Sequence, residues 1–414
     1  MSDSKPTPPK KDLDELIAQF EDEIRKRPTP TELAEAERTG TAVEHEVAAK
    51  APELTPEPEP APEPEPAPIS EPEPELELAL EPAPSAPAPA AVEGPAAAAA
   101  APIAPAPAPG RVEDLQTWWA GGERVEVEFA SGAKYAIFTR VLGEGPWMTL
   151  IHGFPTSSWD WAPMVPTLAE RYRLLTFDLL GFGDSDKPSG HDWSAFEQAD
   201  IVEGLWRHFG VNETRVVAHD VGMTVALELL ARREDGKLAT RMSDYTLLNG
   251  GVYTGFHRPR PIQVWLQRPV IGALIAQLLS EGRFGQAFAE IFSPGHQPTA
   301  EELHQHWESV ARRNGSKNYH RLIKYIPERR ANAARWEAAV EQSKTPIRFV
   351  WGMADPISGA HMAEVIKERR PNADIVELAD VGHYPHLEAP NRVTAAIIEG
   401  PQGGAAGTRP APAK

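Results

Sequence analysis

From Trp118 onward, short apolar runs rich in Val, Ile, Leu and aromatic residues alternate with longer stretches of helical periodicity. Eight of these runs predict strands at 124–129, 135–141, 147–152, 172–178, 215–219, 244–248, 347–351 and 375–378. Helical spacing fills the intervals between them, most clearly at 193–209 and 223–232. Strand and helix in alternation predict the α/β class: a mostly parallel sheet of eight strands with helices on both faces. A long helical stretch at 255–340 interrupts the alternation after the sixth strand. It reads as a cap over the carboxyl edge of the sheet, where open α/β folds bind their ligands.

Ahead of Trp118 the pattern is different. Leu13, Leu16, Ile17, Phe20 and Ile24 recur at helical spacing, with acids before and bases after, which predicts an amphipathic helix at 12–26. From Ala51 to Gly110 the chain alternates Pro with Glu and then with Ala, and this predicts a disordered, extended spacer. The expected organisation is therefore a disordered arm at 1–110, a first core segment at 111–254, the cap at 255–340, a second core segment at 341–399 and a loose tail at 400–414. The helix at 12–26 is either a frayed element of the arm or a docking site for a protein partner tethered by the spacer.

Charge sharpens the same boundary. Of 60 acidic and 41 basic residues, 23 and 8 fall before Gly110, so most of the net charge of −19 lies in the arm. Neither segment offers a basic face for phosphates, which argues against a nucleic-acid partner and for a small, apolar-to-neutral organic substrate. With no cysteine, a disulfide scaffold, a thiolate metal site and a cysteine nucleophile are excluded. The N-terminus lacks the apolar core of a secretory signal, and the longest apolar run, 269–279, is too short for a transmembrane segment. A soluble, cytoplasmic protein is the expectation.

The strongest chemical signal is Val216-Val217-Ala218-His219-Asp220-Val221-Gly222-Met223, a β-branched strand followed by one polar residue, a glycine two positions later and a helix. This is the pattern of a nucleophile elbow with Asp in the seat that esterases give to Ser, and no G-x-S-x-G occurs elsewhere. Asp220 could instead simply cap the helix. As a nucleophile, a carboxylate is already ionised at neutral pH and attacks an sp³ carbon, so the resulting ester needs a base to direct water onto it. His383, after the last strand, is favoured over His386 for that base because Gly382 would permit an exposed turn. Asp355, beyond the seventh strand, would orient the imidazole, although Asp-Pro after Gly is also a common turn. The order Asp220, Asp355, His383 is the nucleophile, acid, base order of such a sheet. The backbone N–H groups of Phe154 and Val221 would form an oxyanion hole. His152, His219 and the turn Asp178–Ser185 read as structural.

Together these residues resemble α/β-hydrolases of the epoxide hydrolase and haloalkane dehalogenase group over about 115–399. More closely, Trp118-Trp119, the run from His152 to Ser158, Thr176-Phe177-Asp178, His219-Asp220, Asn249-Gly250-Gly251 and Tyr325-Ile326 look like the mesoderm-specific transcript family. The resemblance implies the α/β-hydrolase fold and an Asp-His-Asp apparatus, with no cofactor and no metal. It does not imply a substrate. Haloalkane dehalogenases hold the halide with side-chain N–H donors where this chain has Phe154 and Val221, so Asn249, Trp159 or Trp161 would have to supply them. Epoxide opening needs a proton donor, which in the epoxide hydrolases is a cap tyrosine. Tyr325 is the first candidate, with Tyr319 and Tyr253 behind it. Epoxide hydrolysis to a diol is thus the leading expectation, and release of halide from small haloalkanes the second. A catalytically silent ligand-binding or scaffold protein recruited through the arm is the third.

Overall fold

The computed structural model describes residues 113–129 and 131–401. The arm at 1–110 with its helix at 12–26, and all but the first two residues of the tail, lie outside the described residues.

Eight strands form one sheet: β1 (Glu123–Glu128), β2 (Lys134–Leu142), β3 (Trp147–Ile151), β4 (Arg173–Phe177), β5 (Glu213–His219), β6 (Arg241–Leu248), β7 (Ile347–Gly352) and β8 (Asp374–Leu378). Their spatial order is β1-β2-β4-β3-β5-β6-β7-β8. β2 runs antiparallel to both of its neighbours, and every pairing from β4 through β8 is parallel. All eight predicted strands are present, with ends displaced by up to three residues.

The strand sequences explain their places. Edge strand β1 alternates Glu126 and Glu128 outward with Val125 and Val127 inward, the period of a strand with one wet face. Central strand β5 is buried on both faces over its second half, where Val216-Val217-Ala218 form an unbroken apolar run. Val216 and Ala218 enter one hydrophobic core, and Val217 between them enters the other. The sheet therefore separates two apolar layers, each closed by helices.

The helix Val221–Glu234 follows β5 directly, and every residue from Val221 to Ala231 is buried. It packs against Ala195–Phe209 and against Ala333–Gln342. Glu228 on its surface is held by Arg232, Arg335 and the Trp336 indole, so this helix is tied to the last helix before β7. Between β6 and β7 the chain runs through Pro261–Leu266, Pro269–Leu278, Glu281–Ala289, Ala300–Ala311, Tyr319–Leu322, Tyr325–Ala331 and Ala333–Gln342. Thr299 and Glu302 form a reciprocal capping box at the start of Ala300–Ala311, the pattern an S/T-x-x-E sequence encodes.

Candidate active site

The turn from β5 into its helix is tight. Asp220 sits at φ 45° and ψ −112°, a left-handed conformation that a non-glycine residue adopts only where the surroundings enforce it. They do: its N–H donates to Asn249 O at 3.0 Å, and the flanking chains crowd it from two sides. A Cβ on Gly222 would lie 2.4 Å from the carbonyl oxygens of Ile151 and His152, and one on Gly250 would lie 3.1 Å from Asp220 Cα. Asp220 makes no side-chain capping bond to its helix, so capping is not what its carboxylate does. Oδ2 accepts from Phe154 N–H at 3.1 Å, and the nearby Val221 amide favours the ionised carboxylate electrostatically. Burial pushes this carboxyl above the ordinary carboxylate value, and the His383 imidazolium, the Phe154 amide and Arg329 only partly reverse it.

His383 follows β8 in a loop fixed on both sides. Its N–H donates to Ile291 O at 2.9 Å, and its carbonyl accepts from His219 Nε2 at 2.8 Å. Nδ1 lies 2.8 Å from Asp355 Oδ2, which assigns the proton to Nδ1 in the neutral ring and leaves Nε2 for chemistry. Burial alone would lower its pKa, but Asp355, Asp220 and Glu388 outweigh that and raise it to about 9. The expectation of an exposed turn is corrected here. His383 is 2% exposed, and a Cβ on Gly382 would meet Ser293 N at 2.6 Å and Ile291 O at 2.8 Å. The glycine is required by close packing.

Asp355 is saturated with donors. Oδ1 accepts from Ile357 N–H at 2.7 Å, and Oδ2 accepts from His383, from Asn249 Nδ2 at 2.9 Å and from Ser358 Oγ at 2.8 Å. Burial opposes its ionisation, yet these partners bring its pKa down to about 2. The turn reading and the orienting reading of Asp-Pro both describe it: the bond to Ile357 N–H closes the turn while the other oxygen faces the imidazole.

Asp220 and His383 both line a cavity of about 710 Å³, counted to its open mouth, with Phe154 and Tyr319 beside them. The remaining wall is mostly apolar, with Arg260 and Gln263 as its polar members, and comes largely from the β6–β7 insert, through Ile262, Leu266, Ile275, Leu279 and Phe288 among others. Three tyrosines were candidates. Tyr319 lines the cavity, but its hydroxyl donates to Pro155 O at 3.1 Å. Tyr253 stands under Arg369, away from the cavity lining. Tyr325 is fully buried and is likewise not among the cavity-lining residues; its ring lies 5.9 Å from that of Phe154, and its oxygen accepts from cavity-lining Gln263 Nε2 at 3.3 Å. Its own proton has no acceptor among the described residues. Burial, with Asp220 nearby, lifts the phenol well above its ordinary value, so it stays protonated.

None of the three N–H sources suggested for a halide lines the cavity: Asn249 Nδ2 donates to Gly352 O and Asp355, Trp159 Nε1 donates to Glu113 O at 3.1 Å, and Trp161, whose buried Nε1 has no hydrogen-bond partner among the described residues, packs its ring against His386 rather than on the cavity wall. His386 itself is fully buried and absent from the cavity wall. His152 and His219 are structural as expected: His152 Nε2 accepts from Leu179 N–H at 2.9 Å, and His219 holds the His383 carbonyl. Asp178 fixes its turn by accepting from Ser158 and from Asp184 N–H.

Two residues carry more than their sequence suggested. Asn249 braces β6 to β7, its Oδ1 accepting from Gly352 N–H at 2.6 Å, while its carbonyl holds Asp220 and its amide holds Asp355. Arg329, one helical turn after Tyr325 and 7% exposed, has no hydrogen-bond acceptor among the described residues. A Cβ on Gly251 would lie 2.0 Å from its Nη1, so the Asn-Gly-Gly run seats Asp220 on one glycine and this guanidinium on the next.

Residues 146–390 match the alpha/beta hydrolase fold family. LipZ of Mycobacterium tuberculosis is 41% identical over 256 residues, covering 62% of this chain and 88% of its own length. The mesoderm-specific transcript protein of Mus musculus is 36% identical over 259 residues, 60% of this chain and 77% of that protein. Among solved structures, the loop variant DbeA-M1 of a haloalkane dehalogenase from Bradyrhizobium elkanii shares the fold at a TM-score of 0.56 and 19% identity, over 67% of this chain and 94% of that one.

Proposed function

We propose that this chain, which belongs to the α/β-hydrolase fold family, opens epoxides to diols through a covalent ester on Asp220. The observation that carries the reading is the pairing of a carboxylate held by the Phe154 amide with a buried His383–Asp355 pair on the same apolar cavity.

In the first half-reaction an Asp220 oxygen attacks an epoxide carbon, the C–O bond breaks, and the alkoxide takes the Tyr325 proton. Charge leaves Asp220 and appears on the leaving oxygen. Arg329 has no hydrogen-bonded anionic partner among the described residues and lies in the field of both Asp220 and Tyr325, so it stabilises negative charge at either end of that transfer. The resting imidazole carries a proton because Asp220 and Asp355 both face it. Returning that proton to the Tyr325 phenolate leaves His383 neutral as the ester forms. The second half-reaction needs this neutral base: Nε2 takes a proton from water, and hydroxide adds to the Asp220 carbonyl carbon. The oxyanion accepts from the Phe154 and Val221 amides, then collapse expels the diol and restores the carboxylate. The insert at 255–340 acts as the cap that walls this chemistry from bulk water.

Dehalogenation would use the same carboxylate and base. It ranks second because none of the candidate halide donors lines the cavity. A silent scaffold ranks third. A single turnover in heavy-oxygen water with a panel of epoxides, haloalkanes and esters, followed by mass spectrometry of the peptide holding Asp220, separates all three: label enters that carboxylate only if it has been esterified and released.

A further inference from the structure

We propose that the outer face of the β6–β7 insert, from Phe256 to Leu278, docks onto the headgroup–acyl boundary of an anionic lipid bilayer. Among the described residues, the large hydrophobic side chains that stand exposed are Phe256 at 41%, Val264 at 43%, Val270 at 55% and Leu278 at 44%, and all four lie in this one segment. Scattered single exposures need no explanation, whereas a cluster marks an interaction surface.

Helix Pro269–Leu278 shows why the cluster is not spare core. Gly272 and Ala276 are buried, and Ile275 lines the cavity. Val270, Leu274 and Leu278 recur at four-residue spacing on the side turned away from them, so the helix is apolar on two opposite faces, with Gln277 its one polar residue. A helix apolar on opposite faces belongs either in a protein interior or in lipid. At ten residues it is too short to span a bilayer, and no helix among the described residues is long and apolar enough to do so. Lying in the interface is the remaining arrangement.

Charge selects the partner. Between Gly255 and Ser280 the sequence holds Arg258, Arg260 and Arg268 and no acidic residue, in a chain where acids outnumber bases by 60 to 41. Arg260 is paired with Glu290, while Arg258 and Arg268 are exposed. The nearest acid, Glu281, is engaged by His304 at 2.7 Å. Arg268 lies over the Trp265 ring at 4.9 Å, an amphipathic pair of the kind that sits at headgroup level. A second copy of the chain would oppose arginine to arginine across a two-fold axis, which disfavours it as the occupant. Anionic headgroups with acyl chains beneath them match both the arginine fringe and the apolar stripe.

The surface rests on exposure and charge, independently of the reaction assigned to Asp220, and its test needs no turnover. The purified full-length chain is floated with vesicles of phosphatidylcholine alone or mixed with phosphatidylglycerol, at low and high salt. Flotation with the mixed vesicles, weakened by salt, is the expected result. Arg258→Gln with Arg268→Gln should weaken partitioning by about fivefold per arginine. Val270→Asp with Leu278→Asp should weaken it by at least about tenfold, because two apolar contacts are lost and two anions are set against the headgroups. Circular dichroism and melting temperature should stay unchanged in both double variants, since the altered side chains are exposed. Failure of the native chain to float with anionic vesicles overturns the proposal, as does a Val270→Asp/Leu278→Asp chain that floats like the native one. Sedimentation velocity supplies the last outcome: a dimer that this variant dissociates, with no vesicle binding, would assign the face to a second copy and also overturn it.

Discussion

Replacing His383 with Gln should convert the enzyme into a trap for its own intermediate. Gln is the informative choice because its amide can still donate to Asp355 Oδ2, where the imidazole Nδ1 now does at 2.8 Å. A truncation to Ala would leave the buried Asp355 carboxylate short of its charged partner, at a cost of about 3–5 kcal/mol. Ester formation needs the Asp220 carboxylate, which keeps the Phe154 and Val221 amides and the field of Arg329 in the variant. Ester hydrolysis needs the base, and its removal should slow that step by about 10²–10⁴-fold, or about 2.7–5.5 kcal/mol in the barrier. The first step then outruns the second, and the ester accumulates to one equivalent per chain. Intact-protein mass spectrometry after mixing with an aliphatic epoxide that the native enzyme hydrolyses should show a gain equal to the epoxide mass, and peptide mapping should locate it on Asp220. A variant that hydrolyses the epoxide at the native rate, or that never carries the adduct, would refute the reasoning.

Four further expectations follow from the same geometry. Asp220→Asn should abolish adduct formation and turnover while folding normally, checked by mass spectrometry and circular dichroism; turnover at the native rate would remove Asp220 from the chemistry. Arg329→Met should lower kcat by up to about 10²-fold with KM little changed, most for poor leaving groups, if its charge acts on the departing oxygen; a uniform rise in KM alone would instead indicate a binding role. Gly222→Ala should destabilise the fold by about 1–3 kcal/mol, because its Cβ would press on two backbone carbonyls at 2.4 Å, and thermal melts would show it. The His383–Asp355 pair also sets a pH window. Because the imidazole is raised to about 9, its stabilisation is complete below its ordinary value of 6.5 and is lost as pH rises through 9, whereas that of the carboxyl, depressed to about 2, is complete above 3.8 and is lost as pH falls through 2. Asp355→Asn should flatten both flanks of the stability profile measured by denaturant unfolding.

The sheet was legible because its signals are local. Alternation in β1 and the apolar run Val216-Val217-Ala218 in β5 each state how many faces are wet, and the glycine two residues after Asp220 states that the turn behind it is tight. Strand order was not readable in the same way. β4 lies between β2 and β3 although β3 precedes it in sequence, and nothing within either strand encodes which neighbour it takes. Helix ends shifted for a similar reason. Val221–Glu234 is buried all along its first eleven residues, so it lacks the amphipathic stripe that would have marked its start.

At the site the division falls between residue type and residue partner. Asp220, His383 and Asp355 are recognisable singly, since each stands just past a strand and the chemistry of an ester intermediate asks for those side chains in that order. What makes the arrangement work lies between distant segments: Asn249 spans 103 residues to Gly352 and 106 to Asp355, and Arg329 meets Gly251 from the far end of the insert. Gly382 shows the cost of reasoning from one residue at a time. A glycine before a catalytic histidine suggests freedom of movement, yet here it lets Ile291 and Ser293 of the insert close on the loop and hold the imidazole still. The insert therefore does more than cover the cavity. It presses on the base loop through residues 291–293 and supplies Tyr325 and Arg329, so a change of cap sequence would alter the timing of proton transfer as well as the choice of substrate. On the proposed mechanism the sheet fixes Asp220, while the segment between β6 and β7 sets the charge and the proton supply around it.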